Sequence, residues 1–165
     1  MRNNLLTTVV TAALLTPIAA QARATDADRA FLTQDIQGGR YELALAQLGA
    51  AKATKPAIKR FSQMVVRDHT QANAALVQLA RSEGVTAPAG MSADDAARFA
   101  KLKGMSGAAF DRAYVDEQNR INAADKQDAD KEKASTKEPA IKAYITRFAA
   151  MDAKHKSGAE ALKKG

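Results

Sequence analysis

Phe61-Ser-Gln-Met-Val-Val-Arg-Asp-His-Thr-Gln-Ala-Asn-Ala-Ala-Leu76 decides the fold. With Ile58 before it and Leu79 after it, the apolar residues Ile58, Phe61, Val65, Ala72, Leu76 and Leu79 recur at spacings of three, four or seven, the period of an amphipathic helix with one buried stripe. Thr54 is the expected N-cap, and Pro56 fits the first turn, where a missing N–H costs nothing. Gly84 is expected to stop this helix, and Pro88 and Gly90 to form the loop after it. Two polar residues break the pattern. His69 lies four after Val65 and seven before Leu76, so it points at or near the interior, and Asp68 lies seven after Phe61 at the other edge of the same face.

Outward from this helix the same period returns. A first helix is predicted over about 26–53, its face built from Phe31, Leu32, Ile36, Leu43, Leu45 and Leu48. Gly38 and Gly39 fall inside it; each weakens a helix by about 1 kcal/mol relative to Ala, so close packing or a kink is expected there. Ser92, with Asp95 three residues on, opens a short helix that Gly104 and Gly107 interrupt. Ser106 caps a third long helix holding Phe110, Ala113, Tyr114, Ile121 and Ala124. Its second half, Asp125 to Lys133, is almost wholly polar with both signs of charge interspersed, and reads as a solvated helix end. Thr136 caps a fourth, with Ile141, Tyr144, Phe148, Met151 and Leu162 on one stripe. Four amphipathic helices joined by short loops predict an all-α, antiparallel, up-down-up-down four-helix bundle with a short extra helix between the second and third. Its main favourable term is burial of side chains such as Phe61, Phe110, Ile141, Phe148 and Leu162, at roughly 1.5–3 kcal/mol each.

Of 165 residues 46% are hydrophobic, 26% charged and 5% aromatic, which describes one globular domain rather than a disordered chain. The absence of Cys removes disulfides, thiolate metal sites and cysteine nucleophiles. Residues 1–24 read as a signal peptide: Arg2 gives a positive start, 5–20 is uncharged and mostly apolar, and Ala22-Arg23-Ala24 offers the small-x-small cleavage pattern. The bundle domain would then occupy 25–165, in the periplasm, without a transmembrane span. Cleavage would lower the net charge from +7 to +5, which suits solubility or contact with an anionic envelope surface. Nucleic acid is not an expected partner, because the lysines are spread among acids and the eight aromatics sit mostly on core stripes.

Pro56-Ala-Ile-Lys59 recurs as Pro139-Ala-Ile-Lys142 at an offset of 83. Either two helical hairpins are related by duplication, or Pro-Ala-Ile-Lys is simply a convenient helix start.

The chemistry-bearing residues are polar groups on apolar stripes. His155 lies seven after Phe148 and seven before Leu162; Glu42 lies three before Leu45; Glu117 and Asn122 flank Ile121. Counted from the nearest turns at 1.5 Å per residue, Glu42, His69, Asn122 and His155 fall within a turn or two of one layer. Carboxylates and imidazoles converging inside a bundle are what a di-iron or di-manganese site uses, Glu-x-x-His on two of the helices included. Glu42, Asp68, His69 and His155 are therefore the candidate metal ligands, for iron or manganese. The fit is partial: Asp152-Ala-Lys-His155 has the spacing with a shorter acid, but Val66 stands three before His69. No phosphate-binding glycine loop or nucleophile elbow occurs, and no catalytic residue is assigned.

The 61–76 stretch, with its Met-x-x-x-Asp-His-Thr core, Tyr41-Glu42-Leu43, the Phe110-Asp-x-x-Tyr-Val run and the His155 helix resemble a bacterial envelope family known as domain of unknown function number four-one-four-two. The resemblance spans roughly 26–162. It implies a ferritin-like four-helix bundle in the envelope without an established activity, and a histidine eight residues after Tyr114, where this chain has Asn122. Two function classes follow: a non-enzymatic exported protein acting on an envelope partner or in stress tolerance, or a metal-binding or metal-oxidising protein with a degraded di-metal site.

Overall fold

The computed structural model describes residues 24–164. The expected signal peptide lies outside them except for Ala24, which is buried. The described chain is all-helical: α1 (Asp26–Lys52), α2 (Pro56–Ser82), α3 (Ala93–Lys103), α4 (Gly107–Ser135) and α5 (Pro139–Lys164). α1 packs along α2 and α4 along α5; the two hairpins meet through α2 on α5 and α1 on α4, with short α3 against α1 and α4. Every long pairing runs in opposite chain directions. Asn73 Nδ2 donates to Gly39 O at 2.7 Å while Gly49 faces Ser62, Phe61 faces Gly158 while Asp68 meets His155, and Tyr41 meets Glu117 while Asp28 meets Glu132.

The glycines of α1 act by close packing rather than by a kink, since α1 is continuous. A Cβ on Gly39 would strike Asn73, and one on Gly49 would lie 2.5 Å from the Tyr114 ring. Gly84, at φ 72°, follows α2 as the left-handed residue that a side chain disfavours. Ser92 caps α3 as expected, accepting from Asp95 N at 3.1 Å.

Three expected caps are corrected. The N-cap position of α2 is Lys55, because Thr54 is drawn away: its N–H (2.9 Å) and hydroxyl both donate to Asp111 of α4. Ser106 occupies the N-cap position of α4 but its side chain makes no cap hydrogen bond. Thr136 ends α4 instead of opening α5, and Glu138 Oε1 takes the N–H of Ala140.

The apolar interior has two parts. One gathers Tyr41, Leu45, Ile58, Phe61, Val65, Phe110, Tyr114 and Ile121; the other gathers Leu32, Ile36, Leu76, Ala80, Ile141 and Ile145. Several residues of the expected stripes, Leu79, Phe148 and Leu162 among them, are only half-buried. The expected loss of about 3–5 kcal/mol for Phe→Ala belongs to a buried ring such as Phe61, and Phe148 should lose less.

The offset of 83 extends well beyond four residues. Moved by 83, the start of α2 falls at 139, where α5 begins, and α1 would span 109–135 against the observed 107–135. Matching helix limits in both halves favour duplication over a chance helix start.

Candidate functional site

Between the two apolar clusters, each long helix carries polar residues where its buried stripe would continue. On α1, Asp35 and Glu42 stand seven apart; on α2 it is His69, on α4 Asp125, and on α5 Asp152. All five line one cavity of about 50 Å³, together with the half-buried Phe31, Tyr144, Phe148 and Met151. That volume accommodates a water-sized guest and little more.

His69 is 6% exposed, and its Nε2 lies 3.2 Å from Glu42 Oε2. Neither ring nitrogen of His69 has a hydrogen-bond partner, so the contact is one of charge and proximity. His155, 1% exposed, turns the other way. Its Nε2 meets Asp68 Oδ2 at 2.9 Å, and Lys154 stands 3.5 Å from the same oxygen. The two imidazoles stack at 5.2 Å.

The crowding of acids sets the protonation pattern. Burial, then the charges of Glu42 and Asp152, push Asp35 up to about 7. Burial and Glu42 raise Asp152 to about 6, and burial with Glu42 and Asp35 lifts Asp125 well above the carboxylate range. Burial also works against Glu42, but the charge and contact of His69 outweigh it and hold Glu42 below its ordinary value. His69 is correspondingly raised, its burial overcome by Glu42. His155 is lowered because burial outweighs the bond to Asp68. The cavity thus favours one ion pair and makes the remaining acids hold protons more tightly than free carboxylates, since adjacent carboxylates in low dielectric resist ionising together.

Of the four residues singled out in the sequence, Glu42 and His69 line the cavity, whereas Asp68 and His155 form a separate pair behind His69. Among the described residues no group of three or more His, Asp or Glu is arranged so that it could hold a metal ion. Two cavity acids, Asp35 and Asp125, escaped the sequence reading, and Asp152 was read only as the acid of Asp152-x-x-His155. Asp35 was signalled by its seven-residue spacing to Glu42, and Asp152 by its spacing to His155. Asp125 was assigned to the solvated run, which is corrected here: most of that run is exposed, but Asp125 turns inward and Glu132 is 7% exposed. Asn122 donates to Gln118 O at 2.7 Å, and Glu117 accepts from Tyr41 Oη at 2.9 Å and from Arg120, away from the cavity.

The offset of 83 also relates the cavity walls. Glu42 corresponds to Asp125, His69 to Asp152, and Ala72 to His155. Each hairpin contributes the same two wall positions, filled by different residues.

No described helix is long and apolar enough to cross a membrane. Comparison with curated proteins and with solved structures gave no match. A family model described as domain of unknown function, DUF4142, matches residues 13–162. That match covers most of the sequence, and the chain belongs to this family.

Proposed function

We propose that this is a ferritin-like, antiparallel four-helix bundle of the bacterial envelope, exported by a cleaved signal peptide, whose core cavity takes a divalent cation, iron or manganese. One observation carries the reading: four acids, and an imidazole whose two ring nitrogens have no hydrogen-bond partner, drawn from all four long helices, line a single 50 Å³ cavity. An interior that raises the proton affinity of three acids because their charges crowd is stabilised by a cation that offsets that charge.

The donor types suit such an ion, and because no three of them converge as they stand, binding would have to draw them together. Glu42, His69, Asp125 and Asp152 would hold it, with Asp35 beside them, and mixed carboxylate and imidazole ligands suit manganese and iron. The α4–α5 hairpin keeps Asp125 and Asp152-x-x-His155, while the α1–α2 hairpin has Glu42 and His69-x-x-Ala72, so one imidazole position is lost. No catalytic step is assigned.

The test is metal analysis of the protein purified from native envelope, with thermal melts in added Mn²⁺. Stoichiometric metal and a raised melting temperature are expected. A second reading is favoured by the lack of three converging ligands: a non-enzymatic protein acting through an envelope partner or in stress tolerance, its acids simply protonated. Reproducible absence of metal and an unchanged melt would select it.

A further inference from the structure

Along the chain the lysines and arginines are spread among acids, but the fold sorts them by layer. α2 and α5 together carry ten Lys and Arg against three acids, Asp68, Asp152 and Glu160, whereas α1 and α4 carry eight against eleven. Of those three acids, Asp68 is half-buried against His155, Asp152 is half-buried at the cavity, and exposed Glu160 is held by Lys156. Short α3 lies against α1 and α4, so the side formed by α2 and α5 is the opposite one.

That side has a regular build. On α2, Arg60, Met64, Arg67, Gln71 and Gln78 follow one another at spacings of four, three, four and seven, which makes them one ridge of the helix. Met64 borders Gly158 of α5, so this ridge runs beside the α2–α5 seam. On α5 the facing ridge holds Arg147, Ala150, Lys154 and Ala161, and Lys154 reaches across the seam to 3.5 Å from Asp68. Apart from half-buried Met64, all these residues are exposed. Arg60 and Arg67 enter no ion pair among the described residues, and Arg147 lies over the Phe148 ring. At 1.5 Å per residue the α2 ridge is about 27 Å long from Arg60 to Gln78.

We propose that the α2–α5 side docks the protein on an anionic membrane surface, with Arg60, Arg67, Arg147 and Lys154 set against lipid phosphate headgroups. This names a partner for the envelope reading above and does not depend on its cation. Charge complementarity carries it: an acid-poor side with unpaired arginines meets a continuous sheet of negative charge, and each basic side chain near such a sheet strengthens attachment about fivefold. The other exposed residues of the two ridges are Gln and Ala. A protein partner would need aromatic anchors there, and insertion among acyl chains would need an apolar face; the side offers neither. Attachment is therefore by charge alone and is released by salt. Because α1 and α4 carry the excess of acids, the bundle is a charge dipole that turns its basic layer to the membrane and its acidic layer away.

The experiment is co-sedimentation of the protein, purified from native cells, with vesicles of phosphatidylglycerol and phosphatidylcholine in equal parts or of phosphatidylcholine alone. Preference for the phosphatidylglycerol vesicles at low salt, lost at high salt, is expected. Arg60→Gln with Arg67→Gln should weaken that binding about 25-fold with an unchanged helical circular-dichroism spectrum. Arg112→Gln with Lys126→Gln removes the same charge from α4 and should weaken it no more than about twofold. Equal weakening by the two double variants, or no preference in the unaltered protein, overturns the docking side. Tighter binding to polyglutamate than to the vesicles assigns the side to an acidic protein instead and overturns the lipid partner. Mass spectrometry of the same preparation locates the first residue. A chain that still begins at Met1 in the cytoplasm removes the export reading alone, because every form in the vesicle comparison shares one N-terminus.

Discussion

The imidazoles of His69 and His155 stack at 5.2 Å with planes 25° apart, yet each faces its own carboxylate, Glu42 for one and Asp68 for the other. Two positive rings this close would repel by about 3 kcal/mol at an effective dielectric of 20. The pair therefore divides its protons, with His69 raised and His155 lowered. Histidine NMR across pH should show one ring titrating above 6.5 and the other below it, and Asp68→Asn should lower His155 further. Coincident titrations near 6.5 would contradict this assignment. The Glu42–His69 pair stabilises fully below the unfolded histidine value and is lost as pH rises through the raised folded one. His69→Ala, which strands a buried carboxylate, should cost about 3 kcal/mol in urea denaturation.

Crowded acids trade stability for binding. Asp125→Asn removes a carboxyl held far above its ordinary value, so without metal this variant should melt a few degrees higher than the natural protein near neutral pH. In added Mn²⁺ the order should reverse, because only the natural protein gains. Calorimetry of both forms with and without the ion checks both halves; a metal-induced rise that survives in Asp125→Asn removes Asp125 from the ligand set.

A second carboxyl pair joins the start of α1 to the end of α4. Asp28, 3% exposed, accepts from Thr25 N at 2.6 Å and Thr25 Oγ1 at 2.7 Å, and contacts Thr136 and Glu132. Burial alone would raise Asp28, but these donors hold it at about 2; burial and Asp28 push Glu132 up from 4.5 to about 7. Between those two values folded Glu132 keeps a proton that the unfolded chain releases, so its contribution to stability falls as pH rises through that window. Asp28 contributes above 3.8 and loses that contribution as pH falls toward 2. Glu132→Gln should thus match the natural protein in mild acid and exceed it by about 1–3 kcal/mol above pH 7. Equal stabilities at both ends of the range would refute the pairing.

Two glycines of one helix should respond oppositely to the same change. Gly38→Ala meets open space and should stabilise by about 0.5–1 kcal/mol. Gly49→Ala places a methyl group against Ser62 and the Tyr114 ring, whose hydroxyls are bonded at 2.7 Å, and should cost about 1–3 kcal/mol. Urea midpoints of the two variants on either side of the natural protein are the expected result.

The sequence displayed the helices well because their stripes are regular, and it displayed Glu42 and His69 because each is a single polar break in such a stripe. Asp125 was hidden for the opposite reason. Its neighbours from Lys126 to Lys133 are nearly all polar, so no apolar rhythm remained to show which of them turns inward. His155 was placed on its buried stripe, but periodicity fixes a face and not the rotamer, so which of Glu42 and Asp68 it meets was left for the structure to show. The caps failed where a distant acid, Asp111, captured Thr54, a contact spanning 57 residues that no local pattern contains.

The offset that relates the halves gives the interior a history. A lone hairpin of this kind has one greasy side and nothing to cover it, and a second copy of itself is the nearest cover. Once both copies lie in one chain, each is free to drift at positions the other can compensate. Ala72 facing the scheme in which its counterpart is His155, and His69 where its counterpart is Asp152, are drift of that kind. The pocket is therefore joint property: Glu42 bears on Asp125 and His69 on Asp152, each the residue 83 positions further along the chain.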